Sequence, residues 1–328
     1  MDVMQSQQVQ PASRMPVLWG IPLAVLAGFA IAGQGRINGA LASRIDDGLA
    51  AALISFGSGL LVILLASTLL PSGRRGLRAI PSALRRHAFP RWYIGAGMIG
   101  AFFVLSQGLT VTVIGIALFT VAVVTGQSLS ALLVDRIGLS PAGRKPITGM
   151  RIISVTLTII AVIWAVSPRF GRTDDLGHWA LPVLLPLAAG FLMSFQQAMN
   201  GIQTVHYGTP LAATVLNFGS GTLALVVIWS IKYLTAGPAE ALPGEWWYYT
   251  GGALGCVFIG LGAWLVRGLG VLLTGLGLIA GQLLGSLALD LIFPAAGTVI
   301  APATWFGTFL TLGAMVLATL PWPRRVRG

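Results

Sequence analysis

Residues 27–61 occur twice in this chain, and that repeat constrains the fold more than any other feature. Moved by 162 positions without a gap, Ala27–Leu61 falls on Ala189–Leu223 with 14 of 35 residues identical. Gln34 meets Gln196, Asn38 meets Asn200, and Phe56-Gly57-Ser58-Gly59 meets Phe218-Gly219-Ser220-Gly221. Further on the match resumes at a shift of 155: Trp92 with Trp247, Gly100 with Gly255, Phe103 with Phe258, Gly115 with Gly270, Gly126-Gln127 with Gly281-Gln282, and Asp135 with Asp290. The change of shift falls in the loop after the second apolar run, where chain length is cheapest to alter. Self-similarity over this distance marks a duplicated structural unit.

What surrounds the repeat is a membrane protein. Only 9% of the residues are charged, 55% are hydrophobic and the mean hydropathy is +0.85, whereas an ordinary soluble domain is about one quarter charged. Ten apolar runs approach the ~20 residues that a spanning helix requires. They lie near 17–37, 49–70, 92–110, 114–134, 148–167, 179–201, 211–234, 247–265, 269–290 and 301–321. The expected fold is all-α and polytopic. Its divisions are a tail over 1–16, a five-helix repeat over 17–167, an external linker over 168–178, a second repeat over 179–321 and a basic tail over 322–328. The run that follows Arg14 is long and more spans come after it, so it reads as an uncleaved first helix.

Five spans is an odd number, so the second copy enters the membrane from the opposite side and sits inverted. Inverted repeats around a site near the midplane are a recurring plan of secondary transporters. Basic residues set the orientation. With the N-terminus inside, cytoplasmic segments hold fifteen of the Lys and Arg residues and outer segments five, which places both termini in the cytoplasm. The net charge of +11 then reflects arginines flanking spans, and no nucleic acid is expected. The basic stretch from Arg74 to Arg91 reads as a cytoplasmic loop.

Polar residues inside apolar segments are the candidates for function. Gln34 and Asn38 are four apart and share a helix face, as do Gln196 and Asn200. They either line a central cavity or join helices by hydrogen bonds. Gln127 and Gln282 follow the central glycine of small-residue stripes, Ala122, Gly126 and Ser130 in one copy and Gly277, Gly281 and Gly285 in the other. Those stripes suit close helix packing, including packing of the two halves together, and the two glutamines could face the cavity edge. Arg36, with Ala198 as its counterpart, is either a surface arginine or a fixed cation for an anionic solute group. Its depth depends on whether the first helix stops near 37 or continues to Ser43. Asp135 and Asp290 end equivalent helices on opposite sides, as interfacial charges or as gating or proton-coupling groups.

Enzyme signals are absent: there is no His-Glu-x-x-His motif, no Gly-x-Ser-x-Gly elbow and no phosphate-binding Gly-Lys loop. Cys256 is the single cysteine, so no thiol metal cluster forms, and neither a metal nor a cofactor is expected.

The Gln-x-x-x-Asn element at the end of the first helix resembles the drug/metabolite transporter superfamily. So do the Leu-Ala-Ala-x-x-x-x-Phe-Gly-Ser-Gly start of the second helix and the Asp closing the fourth. More narrowly the chain looks like the bacterial YdcZ-like branch with two five-helix units fused, over about 17–321. The resemblance implies an inner-membrane bundle that moves a small organic solute by alternating access, with Gln34, Asn38, Gln196 and Asn200 as candidate cavity residues. Small multidrug exporters of the superfamily carry a carboxylate in the middle of the first helix. The matching regions here, Ala24–Ala32 and Pro186–Ser194, hold none. The expected partners are a small-molecule solute and the lipid bilayer, and a homo-oligomer stays open. A non-transporting membrane scaffold is the alternative built on the same bundle.

Overall fold

The computed structural model describes residues 17–139, 144, 146–169, 177–269, 271–293 and 301–318. The helices are α1 (Val17–Arg44), α2 (Gly48–Leu69), α3 (Pro71–Arg85), α4 (Ala96–Ile114), α5 (Ile116–Ile137) and α6 (Gly149–Val166), then α7 (Gly177–Tyr207), α8 (Pro210–Ala236), α9 (Gly251–Leu269), α10 (Val271–Ile292) and α11 (Pro302–Ala318). Among the described residues eight helices are long and apolar enough to cross a membrane, and α9 and α11 contribute two shorter apolar stretches. Over the described residues all ten expected spans therefore fall on helices; the expected tails over 1–16 and 322–328 and most of the linker over 168–178 lie outside those residues. The end of the bundle where α1 begins is called the near end below, and the opposite end the far end.

Two features differ from the sequence expectation. α1 takes the longer of the two lengths the sequence left open and runs to Arg44, and α7 runs past the expected 201 to Tyr207. At 28 residues, α1 is about 42 Å long at 1.5 Å per residue, against a hydrocarbon core of about 30 Å. The helix continues because Asn38-Gly39-Ala40-Leu41-Ala42 packs inward, with Leu41 and Ile45 fully buried. The second difference is that the basic stretch after α2 is not a loop. Residues 71–85 form α3, whose apolar side is too narrow to register as a span but wide enough to pack.

Helix pairs join one repeat to the other at pseudo-equivalent places. α1 crosses α10 where Gly28 and Gly281 meet: a Cβ on Gly281 would stand 1.9 Å from the Val25 carbonyl oxygen, and one on Gly28 would stand 2.1 Å from that of Leu278. α7 crosses α5 in the same way. A Cβ on Gly190 would lie 2.1 Å from the Val123 carbonyl oxygen, and one on Gly126 2.1 Å from that of Leu187. The small stripe on α10 continues the contact through Gly277 against Ala24 and Gly285 against Phe29. On α5, Ala122 and Ser130 are fully buried. In lipid no hydrophobic force drives helices together, so close backbone approach through small residues supplies the association.

α2 and α8 cross on the pseudo-two-fold axis itself. The rings of Phe56 and Phe218 are tilted against one another with centroids 5.1 Å apart. Each lies over the other copy's glycine, Phe218 over Gly59 and Phe56 over Gly221. The starts of these two helices also correspond. Asp47 caps α2 by accepting from Leu49 N and Ala50 N, both at 3.0 Å, and Thr209 caps α8 by accepting from Leu211 N at 3.3 Å. Capping oxygens satisfy the first N–H groups of a helix, which have no intrahelical partner.

Candidate functional site: a cavity between the repeats

Around the Phe56–Phe218 axis lies a cavity drawn from α1, α2, α4, α7, α8 and α9. The space open to water centres is about 110 Å³, several times the ~10–15 Å³ that one water requires. Most of its lining comes as pseudo-symmetric pairs: Gln34 with Gln196, Phe103 with Phe258, and Gly100 with Gly255 beside the axial phenylalanines. Both glutamines are buried, at 3% and 4% exposure. Each reaches into the other copy. Gln34 of α1 rests on Gly255 of α9, and Gln196 of α7 rests on Gly100 of α4, where a Cβ would approach the Gln196 Nε2 to 2.5 Å.

Of the four expected amides, Gln34, Gln196 and Asn200 line the cavity and Asn38 does not, and the four find unequal partners. Asn38 Nδ2 donates to Gln107 Oε1 at 2.7 Å, and both side chains are buried. Gln196 Nε2 donates to Asn217 Oδ1 at 2.8 Å. Their counterparts lack these partners for a reason visible in the sequence. Gln34 has Ser55 where Gln196 has Asn217, and a serine is too short to reach it. Asn200 has Gly262 in the position that supplies Gln107 to Asn38. Among the described residues Gln34 Oε1, Asn38 Oδ1 and Asn200 Oδ1 are buried without a hydrogen-bond partner; Gln34 and Asn200 line the cavity and Asn38 does not. Buried polar atoms ordinarily find partners, and an orphan calls for an explanation. Two orphan acceptors facing one cavity suit a ligand that brings donors.

Asn38 lies on the far-end side of Gln34 and is sealed, whereas Asn200 lies on the near-end side of Gln196 and is half-buried. The cavity therefore extends toward the near end, where Gln197 is exposed. Among the described residues no charged side chain lines it.

The other candidates are placed elsewhere. Neither Gln127 nor Gln282 belongs to the lining. The Gln127 carbonyl accepts from Ser194 Oγ at 3.1 Å, and Gln282 is buried beside the Gly28 crossing. Arg36 also stands away from the cavity, half-buried and within Coulombic reach of Asp290. Because α1 continues past it to Arg44, Arg36 lies about 12 Å inside the helix end.

Asp290 at the end of α10 caps α5 across the repeat boundary. Its carboxylate accepts from Ile116 N at 3.1 Å and from Ala117 N at 2.8 Å. Gly115 makes this fit on two counts: its φ is +81°, and a Cβ would come within 2.7 Å of Asp290 Oδ2. The counterpart junction at Gly270 lies outside the described residues. Asp135 pairs with Arg151 of α6, not with its neighbour Arg136. Another ion pair, Lys232 with the α2 cap Asp47, joins α8 to the far end of α2.

Sequence reasoning did not single out Phe56, Phe103, Phe218, Phe258, Gln107 or Asn217. The phenylalanines were present as matched repeat positions, but in so apolar a chain nothing separated cavity aromatics from lipid-facing ones. Gln107 and Asn217 lack matching amides in the other copy, so a search for symmetric residues passes over them.

No curated protein matches the chain. A family model, described as "Putative inner membrane exporter, YdcZ", matches it twice, over residues 19–164 and again over 181–317. The two matches fall on the two five-helix units and cover most of the chain, which therefore belongs to the YdcZ family of the drug/metabolite transporters, here carried as two fused, inverted copies.

Proposed function

We propose that this protein exports or equilibrates a small, uncharged or zwitterionic organic solute by alternating access of the cavity between its two repeats. The observation that carries this reading is that two residues of the cavity lining, Gln34 and Asn200, hold buried acceptors, Oε1 and Oδ1, with no hydrogen-bond partner among the described residues. A solute bearing N–H or O–H donors and an apolar or aromatic body answers both the orphan acceptors and the phenylalanine walls. A lone anion has no cation to meet there.

The near end is read as cytoplasmic from the excess of basic residues on that side. The cavity then opens inward in this conformation, and the Asn38–Gln107 bond with the Asp290 cap closes the outer side. Inverted repeats give two states of similar energy open to opposite faces, so loading from the cytoplasm and release outside follow from exchanging the roles of the copies. Among the described residues the cavity lining holds no titratable carboxylate, which favours facilitation or exchange over proton coupling at the solute site.

The test is thermal stability of the purified chain in detergent against amino acids, sugars, nucleosides, amines and carboxylates. A ligand that binds the folded state raises its melting temperature by mass action. A stabilising solute whose effect disappears in Gln34→Ala and Asn200→Ala supports the reading, and liposome flux of that solute completes it. Amide variants that alter stability while leaving flux intact would instead make the bundle a scaffold.

A further inference from the structure

The helix that follows α2 has two unlike faces. Leu70 alone separates α2 from α3, so α3 starts where the chain leaves the membrane. On one side Gly73, Gly76 and Ala83 are buried. A Cβ on Gly73 would lie 2.4 Å from the Ser67 carbonyl oxygen of α2, and one on Gly76 2.2 Å from Thr209 Cγ2 at the start of α8. Ile80 and Leu84 pack on the cluster formed by Tyr207, Ala212 and Ala213. This side of α3 thus ties the end of α2 in the first repeat to the start of α8 in the second.

The other side carries arginine. At 100° per residue, Arg74, Arg78 and Arg85 fall within about 40° of one another, with Arg75 within about 100°. All four are exposed, as are Arg86 and Arg91 just beyond the helix. None of the six is ion-paired among the described residues, and Asp135, the acid described at this end, is already held by Arg151. The equivalent segment of the second repeat, 237–245, carries Glu240 and Glu245 and no arginine. The charge therefore belongs to this helix and not to the repeat.

We propose that the arginine face of α3 binds the phosphate headgroups of anionic phospholipids in the adjoining leaflet, and that this contact steadies the junction of the two repeats. A basic amphipathic helix beside a span lies at headgroup depth, where anionic lipids attract arginine clusters and salt weakens the attraction. Arginine's planar fork suits phosphate oxygens through paired hydrogen bonds. This inference does not depend on what the cavity transports.

The test places the full chain in bilayers of phosphatidylcholine alone or of an equal mixture with phosphatidylglycerol, and compares melting temperatures. The mixture is expected to raise the melting temperature of the wild type. It should do the same for a tail variant, Arg324→Gln, Arg325→Gln, Arg327→Gln. It should not do so for Arg74→Gln, Arg75→Gln, Arg78→Gln, and high salt should erase the rise. Lysine at the same three positions, which keeps the charge and the fold, should retain most of it. Equal stabilisation of the α3 glutamine variant, or none in the wild type, overturns the proposal. So does full reproduction of the rise by inorganic phosphate in phosphatidylcholine bilayers.

Discussion

Replacing Asp290 by alanine removes both acceptors from the first turn of α5. Ile116 and Ala117 are 1% and 0% exposed, so their freed N–H groups have no water to turn to. Losing an N-cap to alanine costs about 0.5–2 kcal/mol, and a hydrogen bond to a charged group contributes about 1.5–3 kcal/mol. Two such bonds set an upper limit, which the relief of burying a carboxylate reduces. A net loss of about 2–3 kcal/mol follows for Asp290→Ala. Asparagine keeps one carbonyl acceptor, so Asp290→Asn should lose about half as much. Thermal and denaturant unfolding in one detergent would rank wild type, Asn and Ala in that order. An alanine variant as stable as wild type would refute the capping account. A proton-coupling role predicts a different signature, with Asp290→Asn melting normally and abolishing flux.

Two further outcomes follow from the same geometry. Gly281→Ala and Gly126→Ala each place a Cβ within about 2 Å of a backbone oxygen on the partner helix. Both should lower stability by about 1–3 kcal/mol, to similar extents, as a drop in melting temperature reads; loss at only one site would deny the equivalence of the two crossings. Gln107→Ala leaves the Asn38 amide buried alone, which costs about 1–3 kcal/mol and loosens the far end. Its melting temperature should fall while Asn38→Leu, Gln107→Leu together recover much of the loss.

The repeat made the architecture legible, because an odd number of spans per copy forces inversion whatever the side chains are. The small stripes were legible as packing surfaces too, since Gly126 and Gly281 matched in register. Partners were not. Asp290 finds its N–H groups on α5, more than 170 positions earlier in the chain, and no local pattern announces a cap supplied from so far away. α3 was hidden by its composition, because a helix rich in arginine, with Pro81 inside it, resembles a loop until its apolar side meets α8. The amides of the candidate site were visible as a symmetric set. What decides their roles is the broken symmetry, Ser55 against Asn217 and Gly262 against Gln107, and that acquires meaning only when the faces are known.

Cys256 is the chain's single cysteine, which makes side-specific thiol labelling the most direct test of alternating access. In a Cys256→Ser background, Asn200→Cys and Asn38→Cys would be exposed in turn to a membrane-impermeant thiol reagent from each face of sealed vesicles. The account predicts that Cys at 200 labels from the cytoplasmic face alone. At 38 it should stay protected in that state and label from the outer face alone once the bundle reverses, as a saturating external solute would drive it to do. Labelling of either position from both faces, or of position 200 from the outer face, would contradict it.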